Sequence, residues 1–205
     1  MNTEWKIETD PIDYDYAIKF MEDKVAKIRN NGGDDLVWLL EHPHIYTAGT
    51  SAKADDLLRH DIPVYQTGRG GEYTYHGAGQ RIAYAMVDLK KRESDLRKYI
   101  HDLEEWIILT LSEFNIKGER REGRVGIWVV SGNRENKIAA IGVRVRKWVA
   151  YHGISINVNP ELSYYEGIVP CGIKDYGITS FAKLGVNVSM SELDEALKRN
   201  WNEVF

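Results

Sequence analysis

Cys171 is the one thiol of this 205-residue chain, and it stands in VPCGI, residues 169–173, rather than on a periodic apolar face. A thiol attacks as its thiolate, and with an ordinary pKa of about 8.5 only a few per cent is ionised at neutral pH. The flanking proline and glycine imply a bent backbone that presents the thiol at the end of an element. The plainer reading is a small buried hydrophobe. Lys137 opens the run KIAAIGVRV. Facing the thiol, its ammonium would favour the thiolate, and lowering the thiol pKa by two units takes about 2.7 kcal/mol, within reach of one close cation. Without such a partner it is an ordinary solvated lysine at a hairpin end.

A second concentration of chemistry is RGGEYTYHGAGQ, residues 69–80, with four glycines, two tyrosines, an arginine and a histidine. One turn needs one or two glycines, so this stretch holds more than turning requires. Neither Gly68-Arg69-Gly70 nor Gly77-Ala78-Gly79 completes GxGxxG, and GxxxxGK[ST] is absent. What remains is a loop whose bare backbone lets a ligand approach and whose N–H groups point inward. His76-Gly77 and His152-Gly153 form similar settings, and each histidine taken alone is a hydrogen-bonded or surface residue. His42 and His44 share the i, i+2 spacing of some zinc ligands, but HExxH, a second cysteine and a carboxylate cluster are all missing, so no metal is expected.

Periodicity supplies the elements that must position these groups. Ala17, Phe20, Met21, Val25 and Ile28 predict a helix over 11–30, stopped by Asn30-Asn31-Gly32-Gly33. Strands are expected at 36–41, 62–66 and 81–89, then a helix over about 94–115 with Leu96, Ile100, Leu103, Ile107, Leu111 and Phe114 on one face. In the second half GIWVV, residues 126–130, joins the run from Lys137 through a Gly132-Asn133 turn, and Ile141, Val143, Val145, Ile154, Ile156 and Val158 alternate with polar residues or glycine. The last fifteen residues read as a helix capped by Ser189 or Ser191. Strand clusters interrupted by helices, without βαβ alternation, indicate one α+β domain over 1–205, with helices on a mostly antiparallel mixed sheet.

Composition narrows the function classes. A formal charge of -4 argues against nucleic acid as the main partner. The lone cysteine and an N-terminus without a secretory pattern point to the cytoplasm. VWLL and WIILTL fall far short of the roughly 20 apolar residues that span a bilayer, so no membrane association is expected.

RGGEYTYHGAGQ, KIAAIGVRV, HGISINV and VPCGI, in this order, together with EHPHIYTAGT at 41–50, resemble the lipoyl(octanoyl) transferases over about 36–181. That resemblance implies the α/β fold of biotin and lipoate protein ligases, and a ping-pong acyl transfer with no cofactor, ATP or metal. It makes Cys171 the thioester-forming nucleophile, with Lys137 its activating partner and base and His76 beside the thiol. It lines the substrate site with Arg69, Gly70, Gly71, Glu72, Tyr73, Thr74, Tyr75 and His76, then Ala140, Ile141, Gly142, Gly153, Ile154 and Ser155. The implied donor is octanoyl-acyl-carrier protein, and the implied acceptors are lipoyl domains of 2-oxoacid dehydrogenase complexes and the glycine-cleavage H protein. Ala78 stands where the family usually has proline, and Ser155 where alanine is common; neither removes a reactive group. Arg144, Arg146 and Lys147 would form a local basic patch for acidic carriers, or an ordinary solvated strand face. The rival readings are an ATP-dependent lipoate or biotin ligase, a noncatalytic acyl or lipoyl-domain binding module and, more distantly, a metal hydrolase on His42 and His44.

Overall fold

The computed structural model describes residues 2–169 and 176–205. Cys171, with the rest of 170–175, lies outside the described residues.

Strict alternation in the apolar strands decides the layering, because successive side chains of a strand leave opposite faces of its sheet. In β2 (Asp35–Leu40) and β6 (Gln80–Asp88), Leu36, Trp38, Leu40, Ile82, Tyr84 and Met86 pack with Ala17, Met21, Val25 and Ile28 of helix α1 (Tyr14–Asn31). The intervening Val37, Leu39, Ala83, Ala85 and Val87 pack on the other side against α2 (Leu96–Ser112) and α3 (Met190–Val204). One sheet is thus covered on both faces. On the second face, Arg81 (3% exposed) meets Asp194 of α3 through a bond of 3.0 Å from Nη2 to Oδ2. Burial pushes the Asp194 carboxyl above its usual range, and the Arg81 charge opposes that push.

Beyond β1 (Thr3–Ile7) the larger sheet continues through β7 (Ile127–Ser131), β8 (Arg134–Arg146), β9 (Val149–Asn157) and β10 (Gly177–Ile178). Its order is β1-β2-β6-β9-β8-β10, with β7 also on β8; β1–β2 and β10–β8 are parallel and the other pairs antiparallel. The mixed, mostly antiparallel sheet expected from the sequence is therefore present. A three-stranded sheet of β4 (Val64–Gln66), β3 (Ile45–Ala48) and β5 (Tyr73–His76) was not expected. A third of the glycine-rich stretch, Tyr73–His76, is thus a strand rather than a loop, because the aromatic and β-branched run Tyr73-Thr74-Tyr75 pairs antiparallel with β3.

Helices α1 and α2 start three and two residues later than periodicity alone suggested, each behind a capping carboxylate: the Asp13 side chain accepts from the Tyr16 N–H, and Asp95 from those of Arg97 and Lys98. Ser189 is the cap of α3, in a reciprocal capping box with Glu192. Ser131 pairs with Arg134, which confirms the Gly132-Asn133 turn but starts β8 three residues before Lys137. Lys137 is consequently no hairpin end: it pairs with Trp128 on one edge of β8 and Ile178 on the other, and is 6% exposed. Among the described residues no helix is long and apolar enough to cross a membrane.

Candidate active site

A cavity of about 280 Å³ lies on the face of the large sheet that also carries α1. Its floor is three strands wide: Ile82 and Tyr84 from β6, Gly153, Ser155 and Asn157 from β9, and Lys137, Ala140 and Gly142 from β8. The register orders the floor along the strands, since Ala140 faces Ser155 and Ser155 faces Ile82, while Gly142 faces Gly153 and Gly153 faces Tyr84. Lys137 and Ile178 therefore mark one end, and Tyr84 and Gly142 the other.

The wall above the floor is the segment 69–76, braced from behind. Arg69 Nη2 donates to the Thr47 carbonyl (2.8 Å), Thr47 Oγ1 (2.7 Å) and the Glu72 carbonyl (3.0 Å), so this buried guanidinium fastens its loop to β3. The Gly70 N–H does not point inward as expected but donates to the Val143 carbonyl at 3.0 Å, tying the loop to β8. Close approach explains some of the glycines: a Cβ on Gly77 would stand 2.0 Å from the Tyr75 hydroxyl, and one on Gly79 2.3 Å from the Asn159 carbonyl oxygen. Of the segment expected to line the site, Arg69, Gly70, Gly71, Glu72, Tyr73, Thr74 and His76 do so. Tyr75 instead turns away, donating its hydroxyl proton or accepting one at His44 Nδ1 (2.7 Å). Lys137, Ala140, Ile141, Gly142, Gly153, Ile154 and Ser155 also reach the cavity. The Lys137 ammonium lies 4.8 Å from the centroid of the Trp128 ring.

The hydrogen-bond network fixes the protonation pattern of His76. Asn157 Nδ2 donates to the Thr179 carbonyl, so Asn157 Oδ1 is the acceptor for Gln80 Nε2 at 2.9 Å. Gln80 Nε2 also donates to the Tyr75 carbonyl, which leaves Gln80 Oε1 to accept from His76 Nδ1 at 2.7 Å. His76 is therefore an Nδ1–H tautomer with a lone pair on Nε2. Burial, then the neighbouring His42, push its pKa down to about 3, so it is neutral. His42 is neutral for the same first reason, at about 4: its Nδ1 donates to the Ile12 carbonyl (2.6 Å) and its Nε2 accepts from Tyr84 Oη (2.7 Å). His42 and His44 thus serve different partners, and among the described residues no three His, Cys, Asp or Glu side chains gather as metal ligands.

Residues 13–202 match the model of the lipoyl protein ligase A/B catalytic domain. The chain belongs to that family. Within it, the octanoyltransferase of Wolbachia pipientis subsp. Culex pipiens (strain wPip) is 57% identical over 99% of this chain and 100% of its own. The octanoyltransferase of Paramagnetospirillum magneticum is 58% identical over 98% of this chain and 96% of its own. The fold is that of the bipartite lipoate protein ligase of Thermoplasma acidophilum, whose structural study includes its E2 lipoyl domain. That match has a TM-score of 0.76 over 99% of this chain and 84% of the other, at 15% identity.

In this member of the lipoyl protein ligase A/B family the cavity also takes Tyr14, Ile82, Tyr84, Arg124, Asn157 and Tyr165, none of them expected as site residues from the sequence. Tyr14 opens α1, and Ile82 and Tyr84 read as core alternation. Their signal was indistinguishable from packing, because the cavity floor and the α1 interface are one sheet face.

Proposed function

We propose that this protein transfers an octanoyl group from an acyl-carrier-protein thioester to the ε-amino group of a lysine on a lipoyl domain or the glycine-cleavage H protein, in two half-reactions through Cys171. What carries the reading is the 57% identity to an octanoyltransferase across 99% of this chain. The cavity supports it, with alanine, isoleucine, glycine and neutral imidazole where an acyl chain would lie.

In the first half-reaction the Cys171 thiolate attacks the acyl carbonyl, its S–C bond forms as the carrier's C–S bond breaks, and the carrier thiolate leaves and takes up a proton. The exchange of one thioester for another is nearly balanced, so the donor supplies its own driving force. In the second, the neutral amine of the acceptor lysine attacks the Cys171 thioester. The amide C–N bond forms, the Cys171 thiolate departs, and the surplus amine proton passes to Lys137. Lys137 as a cation favours the thiolate at rest and as an amine accepts that proton. His76, with Nδ1 committed to Gln80, offers Nε2 as an acceptor for the incoming amine's N–H. A neutral acceptor suits this task because a second cation there would repel a protonated lysine.

Intact-protein mass after mixing with octanoyl-acyl-carrier protein, without ATP, tests the reading. Native chain gaining one octanoyl group that a lipoyl domain then removes is the expected result, with Cys171→Ser gaining none. Equal labelling of Cys171→Ser, or a requirement for ATP, would overturn it.

A further inference from the structure

We infer that His152 is the end stop of the cavity: turned onto the cavity face by a left-handed backbone, its ring with Tyr84 closes the end away from Lys137 and limits the length of the acyl chain. The inference rests on the acyl-transfer reading above for the direction in which the chain lies.

The conformation of β9 is the primary observation. Val149 and Tyr151 belong to the α1 side of the sheet, and Ala150, Ile154 and Ile156 to the α2 side. Alternation would send His152 to the α2 side with Ala150 and Ile154. Instead its φ is +61°, and its ring stacks on that of its own neighbour Tyr151, centroids 5.1 Å apart at 24°. Adjacent residues of a regular strand cannot meet in that way. The other neighbour is Tyr84, whose ring meets His152 edge-on at 5.9 Å. The β6–β9 ladder registers the turn: it runs from Gln80–Asn157 to Tyr84–Gly153 and resumes at Val87–Ala150. Histidine is among the side chains that enter this backbone region most readily, and strain of this kind persists where the surroundings impose it.

Position then gives the ring its task. His152 pairs with Val143, one residue beyond the Gly142–Gly153 pair that ends the bare part of the floor. From Lys137 to Gly142 is five residues, about 17 Å of strand, much of it taken up by the lysine side chain and the thioester before the acyl chain begins. Past His152 the same face is filled by Tyr151, Val149 and the apolar residues of α1. His152 is 3% exposed, lines the cavity, and has no hydrogen bond to its ring from the described residues. Burial first, then the charges of Arg69 and Arg144, hold it neutral with a pKa near 3, so an alkyl end meets an uncharged ring.

The test is a competition among octanoyl, decanoyl and dodecanoyl carrier thioesters with native chain, His152→Gly and His152→Asn. Glycine adopts positive φ freely and removes the ring, and asparagine tolerates the same backbone with a shorter side chain. The ratio of dodecanoyl to octanoyl kcat/KM should rise about tenfold or more in His152→Gly, and by less in His152→Asn. An unchanged ratio in both variants, or a fall in all three rates with no change of preference, would overturn the stop and leave the ring as a ligand for a polar group. Should native chain transfer none of the three, the acyl-transfer reading fails by itself. Calorimetric binding of free octanoate and dodecanoate then decides the stop, with a gain for dodecanoate in His152→Gly supporting it and no gain overturning it.

Discussion

Two histidines enter the cavity from the same dipeptide, His76-Gly77 and His152-Gly153, and are held by unlike means. His76 keeps an ordinary strand backbone and spends Nδ1 on Gln80, itself fixed by Asn157 and the Tyr75 carbonyl. His152 has no such relay and is placed by its own left-handed φ. The difference matters chemically. A ring fixed by hydrogen bonds has a defined tautomer and presents one known lone pair, which suits proton traffic. A ring fixed by its backbone presents a surface with no assigned donor, which suits a wall. Backbone placement costs about 1–3 kcal/mol in the folded state, against a hydrogen-bonded relay whose cost falls due when a member is removed.

The largest expected effect tests what the two share, which is neutrality. His42, His76 and His152 have folded pKa values near 4, 3 and 3, below the ordinary 6.5 they regain on unfolding. A base with a depressed folded pKa contributes stability that is present above its unfolded pKa and lost as pH falls. Here the loss begins near pH 6.5 and continues to the folded values. With three protons taken up on unfolding, the slope approaches about 4 kcal/mol per pH unit near pH 5, and about 5 kcal/mol is gone by then. That is a large share of a typical folding free energy. Glu113, Glu119 and Glu135 lose their contribution only below the ordinary carboxylate range, and Asp194, held above its own, gains rather than loses stability as pH falls, so a loss over pH 5–6.5 comes from the histidines. Urea midpoints measured across this interval give the proton count directly; a flat profile would mean that the rings are already charged in the fold.

Gln80→Leu separates the pair. Gln80 is fully buried, and its loss strands the His76 Nδ1–H and removes a donor from Asn157 Oδ1 and the Tyr75 carbonyl. At about 1–3 kcal/mol for each unmet buried group, the variant should lose about 3 kcal/mol in urea unfolding at pH 7.5 with m unchanged. The acyl-chain preference assigned to His152 should stay as it is, because Gln80 contacts neither that ring nor its strand neighbours.

The asymmetry between the two histidines also marks what could be read in the sequence. The strands at 36–41 and 81–89 were legible as apolar runs, and the start of α3 from its serines, of which Ser189 proves to be the cap. Short β3 and β5 were not, since four-residue strands take their stability from each other and carry little periodicity of their own. At the site, residue type drew attention to Lys137 and to the 69–80 stretch, and the resemblance narrowed the stretch to 69–76, yet the bracing role of Arg69 was not legible, because it depends on Thr47, twenty-two residues away. His152 was hidden most thoroughly. Its neighbours alternate as a regular strand, and an alternation argument puts its ring on the wrong face.

The smallest effect isolates the backbone itself. At an ordinary strand position alanine is favoured over glycine by about 0.5–1 kcal/mol, since glycine has more freedom to lose. At a left-handed position the order reverses, because a Cβ there costs about 1–2 kcal/mol. His152→Gly and His152→Ala remove the same ring contacts with Tyr151 and Tyr84, so their difference reports φ alone. His152→Gly should be the more stable of the two by about 1 kcal/mol, and His76→Ala more stable than His76→Gly by about 0.5–1 kcal/mol. Chemical unfolding of the four variants at pH 7.5, above the histidine window, measures both differences. The same order at both positions would mean that β9 relaxes once the ring is gone, and that the ring drives the turn of the backbone rather than being carried by it.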